Sequence, residues 1–445
     1  MKSTRAVFFL LVLLCGLVWF ARNAHLQLAS DDIGWLRGEA PTVFDQYRLI
    51  PRLFFAELYA QFGPSPVAAL AMIFFFHLAN TALVYSLCQK LLDNRTAAGV
   101  AAAVFMINPI TLATLTWISC FSYVLGTSLA LLSLLAFCKS KDTERRLPWY
   151  TFALLSYGLG LFCSHEVLFL PVLFLLFSWL WQDVSRKGVV VLSGTAMALG
   201  ASVNFFFYSF DRYGVETTRL FSLGFISAFT SSALSFGLTL ALAYPLSFFA
   251  KPMGFLQFCF AELPRWGITL ALLACGILLW KPDKAWRVRS ALVLSFVVLI
   301  TPYIIRLYLV PPGVNYHTSY VLSGRVFYLP FVILACLWGK LVARFQESAR
   351  AYRLAWALPA ASLAAYAYAL LILYDKTDFM GLQVVHGLSQ AMPPAWTPYR
   401  DSQPAWIVGA GLVIIAAAGI RLAAKNWKSR SKHHAAPSTR FVSHL

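Results

Sequence analysis

Apolar residues in this chain come in long unbroken runs: Val67–Leu92, Ile118–Cys138, Val189–Tyr208, Ala291–Leu309, Val326–Ala343 and Ala405–Leu422. A helix that crosses a bilayer needs about 20 apolar residues. Inside lipid only helices and closed barrels satisfy every backbone polar group, so runs of this length predict membrane-spanning helices. Two shorter runs, Trp149–Phe162 and Val167–Leu180, are separated only by Cys163-Ser164-His165-Glu166, which predicts a tight turn at a membrane surface. The first run, Ala6–Phe20, follows Lys2 and Arg5. It reads either as a signal peptide cleaved near Gln27-Leu28-Ala29 or as an uncleaved first span. We adopt the span; both readings leave the next loop outside.

Taking each run as one crossing, and Phe221–Ala250 as a segment that enters the outer leaflet and returns, gives about 12 transmembrane helices. The fold class is an all-α polytopic membrane protein with no soluble domain. Residues 1–424 form the transmembrane domain, with a first outer loop over 22–66, and residues 425–445 form a basic cytoplasmic tail. Within the loop, the stretch Asp45–Phe55 mixes charged residues with Leu, Ile and Phe, as in a helix lying at the lipid interface. Pro51 tolerates a helix start but disturbs a helix interior, so a break is expected there and Arg48 and Arg52 are not placed on one face.

Charge then orients the bundle. The chain is 60% hydrophobic and 12% charged, with a formal net charge of +18. With both termini inside, 24 of the 36 Lys and Arg residues fall on the cytoplasmic side, at clusters such as Lys139–Arg146, Lys281–Arg289 and Arg421–Arg440. Were Phe221–Ala250 a crossing, only 16 would. The positive-inside rule favours the first arrangement. The excess charge is thereby a topology signal and an attraction to anionic headgroups, and nucleic acid is not implied as a partner. The eight cysteines lie mostly in apolar runs without a CxxC pair, so no metal site or disulfide framework is expected; Cys120 and Cys163 are the one outer-side pairing worth naming.

Few residues remain that carry chemistry. Asp31 and Asp32 stand just beyond the first span. Adjacent carboxylates near a bilayer are costly unless something uses or pairs them. One can take a proton from an attacking hydroxyl, while its neighbour orients it or both hold a divalent cation; a solvated turn or helix cap after Ser30 is the plainer alternative. Glu166, beside His165 in the tight turn, either faces a polar cavity or caps a helix. Arg325 precedes Val326-Phe327-Tyr328-Leu329-Pro330. Its guanidinium can hold a phosphate with two parallel hydrogen bonds, and Arg48, Arg52 and Arg306 can add to such an anion site or simply reach for headgroups. His77 and Asn80, inside an apolar run at i, i+3, are assigned to interhelical hydrogen bonding.

In chain order these pieces resemble the GT-C superfamily of membrane glycosyltransferases, and most closely the transmembrane, tetratricopeptide-bearing protein O-mannosyltransferases and their bacterial relatives. The resemblance runs through Asp31-Asp32, Tyr47-Arg48, Phe62-Gly63, Phe76-His77-Leu78-Ala79-Asn80, Asn108-Pro109-Ile110 and Trp117-Ile118-Ser119. It continues with His165-Glu166 and Pro171, Tyr244-Pro245-Leu246-Ser247 and Arg325–Pro330. It implies a GT-C-like fold in a bacterial inner membrane and a polyprenyl-phosphate sugar donor. Transfer would occur with inversion on the periplasmic face, to a glycan, lipid or protein acceptor. Asp31 or Asp32 would be the base and Glu166 an active-site residue, with Arg48, Arg52, His165 and Arg325 at the donor phosphate. The chain departs from the relatives at Leu49, Asn108, Ala113 and His165, where they carry Pro, His-Pro, Glu and Lys, and no tetratricopeptide array is expected. A transporter or flippase of lipid-linked sugars, or a ligase of them, is the alternative. Against transport, no acidic residue falls at mid-depth and no inverted repeat is visible; against a ligase, no large Arg- and His-rich outer loop is present.

Overall fold

The computed structural model describes residues 48–63, 65–106, 114–115, 118–181, 186–203, 284–309 and 328–344. Among them every regular element is helical. We label these helices α1 (Leu49–Phe62), α2 (Pro66–Leu92), α3 (Arg95–Met106), α4 (Phe121–Lys141), α5 (Arg146–Leu161), α6 (Leu170–Trp181), α7 (Arg186–Val203), α8 (Lys284–Leu309) and α9 (Tyr328–Arg344). Single 3-10 segments lead into α4 (Ile118–Cys120) and α6 (His165–Phe169). Among the described residues, α2, and α4 with its lead-in, are long and apolar enough to cross a bilayer, and shorter apolar stretches lie in α3, α6, α7, α8 and α9. The runs Ala6–Phe20 and Ala405–Leu422, the segment Phe221–Ala250 and the basic tail lie outside the described residues.

Local sequence explains where these helices start and stop. Pro51 sits in the first turn of α1, buried, and does not break it. The amide N–H that proline lacks is one of the four that find no intrahelical partner at a helix start, and the Arg52 N–H already closes onto the Arg48 carbonyl at 3.1 Å. The expected break at Pro51 is therefore corrected: Arg48 and Arg52 belong to one continuous helix start. Gly63, at φ +63°, makes the left-handed step after α1 that a side chain would resist. Ser65 then caps α2, its Oγ accepting the Ala68 N–H at 3.3 Å, with Pro66 at the first helical position. At the other end of α2, Asp93 takes the left-handed conformation and Asn94 accepts the Ala97 N–H at 2.9 Å, so two residues end one helix and start the next.

Packing is organised around α3, where every side chain from Ala97 to Met106 is buried. It lies between α2 and α9, which also touch each other, and α4 closes on α2 from the other side. The Ala-rich sequence of α3 permits this close approach. A second group, α5 to α8, wraps α4 through α5 and joins α9 through α8. The outward faces are apolar. On α5, Phe152, Leu155 and Leu159 point out while Ala153, Ser156, Tyr157 and Gly160 point in. On α7, Val190, Val191 and Met197 point out while Ser193 and Ala196 point in. Large apolar side chains on outward faces, with apolar ones such as Val189, Leu192 and Leu161 buried as well, suit a bundle solvated by lipid.

A polar network ties the centre together. The fully buried His77 meets the Tyr328 hydroxyl through Nδ1 at 2.7 Å and the Met106 carbonyl through Nε2 at 3.1 Å. Asn80 donates to the Val124 carbonyl at 2.9 Å and to the Tyr328 hydroxyl at 3.3 Å, and accepts from Ser128 Oγ at 2.7 Å. Residues from α2, α3, α4 and α9 are thus fastened at one level, as expected for polar groups at i, i+3 within an apolar run. Asn80→Leu should lower the midpoint of thermal unfolding in detergent, with a loss of about 1–2 kcal/mol. An unchanged midpoint would show the network to be dispensable.

Cys88 of α2 and Cys336 of α9 form a disulfide with a Cα–Cα distance of 5.7 Å. This corrects the expectation of no disulfide: the partners are 248 residues apart, and no spacing rule signals a pair contributed by two separate spans. Cys120 and Cys163 are both buried and are not joined to each other.

Candidate functional site

The two ends of α5 separate two kinds of surface. At its start, beside Arg145 and Arg146, the ends of α2 and α4 are joined by an exposed Lys90–Asp142 ion pair. About 24 Å along its 16 residues, α5 ends in the turn 162–166. The predicted cytoplasmic cluster and the predicted outer turn therefore lie at opposite ends of one helix.

The turn is tightly specified. Backbone N–H groups of Cys163 and Ser164 both return to the Gly160 carbonyl, at 2.9 and 3.0 Å. Ser164 is extended, and its Oγ accepts the Glu166 N–H at 3.4 Å, which starts the 3-10 segment. Ser164 is thus the cap of this segment. Two glycines bring neighbours close. A Cβ on Gly126 of α4 would lie 2.9 Å from Ser164 Cβ, and one on Gly160 would lie 3.1 Å from a Val167 methyl. The Tyr157 hydroxyl donates to the Leu168 carbonyl at 3.1 Å and fixes the next turn. Burial pushes the Cys163 thiol pKa up, so it stays protonated and apolar in character.

Two other elements complete this end. The Ile50 N–H of α1 donates to the Phe162 carbonyl at 3.3 Å, which seats the start of α1 on the end of α5. The first turn of α4 supplies Tyr123, whose ring is buried. The Arg48 guanidinium stands 5.7 Å from the centre of that ring, within cation–π range. The His165 ring meets Tyr123 edge-on, with centroids 6.4 Å apart. Glu166 is only 1% exposed. A carboxylate so placed costs several kcal/mol unless its surroundings pair or use it. Helix α8 packs against the same 3-10 segment.

Of the predicted site residues, Arg48, Arg52, His165 and Glu166 are described, and the first three are half-buried. Arg48 and His165 share Tyr123, Arg52 follows one turn along α1, and Glu166 adjoins His165. Asp31, Asp32 and Arg325 lie outside the described residues, and so does the one cation site the sequence suggests. Among the described residues no three His, Cys, Asp or Glu side chains gather as a metal-binding group. Sequence reasoning missed Tyr123, because an aromatic residue inside an apolar run carries no signal of its own.

No family model matches the chain, and no curated protein matches it. Solved structures do. ArnT from Cupriavidus metallidurans bound to undecaprenyl phosphate is 14% identical, over 95% of this chain and 80% of that one, with a TM-score of 0.41. The Archaeoglobus fulgidus oligosaccharyltransferase in complex with Zn and sulfate is 13% identical, over 90% of this chain and 52% of that one, with a TM-score of 0.35. AglB from the same organism, with an inhibitory peptide and a dolichol-phosphate, is 11% identical with a TM-score of 0.35. The chain spans about half the length of these archaeal enzymes.

Proposed function

We propose that the chain is an inverting glycosyltransferase of the bacterial inner membrane. It moves a monosaccharide from a polyprenyl-phosphate donor to an envelope glycan, a glycolipid or a secreted protein on the periplasmic face. The observation that carries the proposal is the assembly of Arg48, Tyr123, His165 and buried Glu166 at the bundle end away from the Lys139–Arg146 cluster. A guanidinium and an imidazole beside a buried carboxylate suit a substrate that is an anion on an isoprenoid tail.

In this reading Asp31 or Asp32 takes the proton of an acceptor hydroxyl. The oxygen attacks the anomeric carbon as the carbon–oxygen bond to phosphate breaks, and the electron pair leaves on the phosphate. One displacement inverts the configuration. Arg48, Arg52, His165 and Arg325 stabilise the charge that grows on the leaving phosphate. Glu166 acts beside them, holding the acceptor side or the cationic groups in place. A deletion strain should lose one sugar from an envelope glycan while its polyprenyl-phosphate-sugar accumulates, both read by mass spectrometry. Asp31→Asn or Asp32→Asn should reproduce that loss with the protein still inserted. Normal glycan from both variants would remove the base, and a donor that is moved across the membrane but not consumed would point to transport.

A further inference from the structure

The first turn of α4 is fixed from three sides. The Val124 carbonyl accepts from Asn80, Gly126 lies against the Ser164 turn, and Phe121 packs edge-on against Phe55 and Phe76. Tyr123, one residue before the Asn80 anchor and three before Gly126, is therefore held on a fixed turn. It is buried, whereas Arg48 and His165 are half-buried. An aromatic ring presents a negative face to a guanidinium and suits an imidazole edge-on. One buried ring thus contacts a guanidinium and an imidazole that come from distant parts of the sequence.

We infer that Tyr123 is a positioning residue, which holds Arg48 and His165 as a pair that recognises the phosphate of the lipid donor. The inference rests on the reading of the donor as a polyprenyl phosphate. Two phosphate sources share this chemistry, the donor and ordinary anionic headgroups, so the test separates them.

The full chain is placed in nanodiscs of phosphatidylcholine and titrated with a long-chain polyprenyl phosphate, with the corresponding polyprenol, and with phosphatidylglycerol. Wild type should bind the polyprenyl phosphate in preference to both others. Tyr123→Leu, which removes the ring, should weaken that binding by about 3- to 30-fold, the range of one cation–π contact, and leave polyprenol binding unchanged. Tyr123→Phe, which keeps both ring contacts, should bind like wild type. In transfer assays Tyr123→Leu should raise KM for the donor with kcat within about twofold. The inference is overturned if Tyr123→Leu binds like wild type, or if it weakens phosphate and alcohol alike, as a merely structural defect would. A wild-type protein with no preference for polyprenyl phosphate over polyprenol or phosphatidylglycerol would instead sink the donor reading itself.

Discussion

Glu166→Gln should lower sugar transfer by about 10²-fold or more while the protein inserts and accumulates normally. The size follows from removing a preorganised charge in a water-poor site, where electrostatic groups act most strongly. The substitution keeps the side-chain volume, so the close contacts between α4, α5 and the 3-10 segment survive. It also leaves helix initiation intact, because Ser164 supplies the cap. Ser164→Ala makes the contrast: it should cost about 1 kcal/mol of stability and far less activity. Radiolabelled donor incorporated per mole of protein, beside abundance in membranes, reads both. If Glu166→Gln transfers at the wild-type rate, the buried carboxylate has a structural role only, and the active centre lies elsewhere.

Gly339→Leu should prevent the bundle from packing. A single Cβ at this position would stand 2.3 Å from the Ala97 carbonyl oxygen and 3.2 Å from Ala101 Cβ. The first obstacle is backbone, which no side-chain rotation relieves. Helices α3 and α9 must then separate, and α3 has no freedom to move, since α2 encloses its other side. Overpacking of this kind costs about 3 kcal/mol, and here it also strains the attachment of Tyr328 to His77 at the far end of α9. The expected result is aggregation or loss of a monodisperse peak on size exclusion in detergent. A monodisperse variant with a wild-type unfolding midpoint would show that α3 and α9 are not in contact as described.

Much of the fold was legible in the sequence because lipid imposes a simple rule. Long apolar runs had to be helices: Val67–Leu92 and Val326–Ala343 correspond to α2 and α9 within two residues, and Ala291–Leu309 lies within α8, which starts earlier, at Lys284. What the runs could not specify was their neighbours. Leu, Ile and Phe face lipid and protein alike, so the enclosure of α3 by α2 and α9 depends on small residues whose partners are far away in the chain. Gly339 against Ala97 is the plainest case. The candidate site was legible in a different sense. His165 and Glu166 stood out because a four-residue turn between apolar runs leaves polar groups nowhere else to go. Tyr123 and Cys336 did not, since each is one more residue of an apolar run until a distant partner gives it a role. Pro51 misled because its effect depends on register: in the first turn it is harmless, one turn later it would have bent the helix.

The enclosure of α3 also bears on how the chain is made. Translation delivers α2, the Asp93-Asn94 turn and α3 in immediate succession, and the small side chains of α3 give it little attraction for lipid by itself. It would most readily enter the bilayer as the second arm of a hairpin, carried by its longer predecessor. One flank then stays uncovered until α9 emerges from the ribosome much later. The early hairpin must therefore be tolerated half-finished, and a stalled or truncated chain would expose to quality control the surface that α9 normally hides.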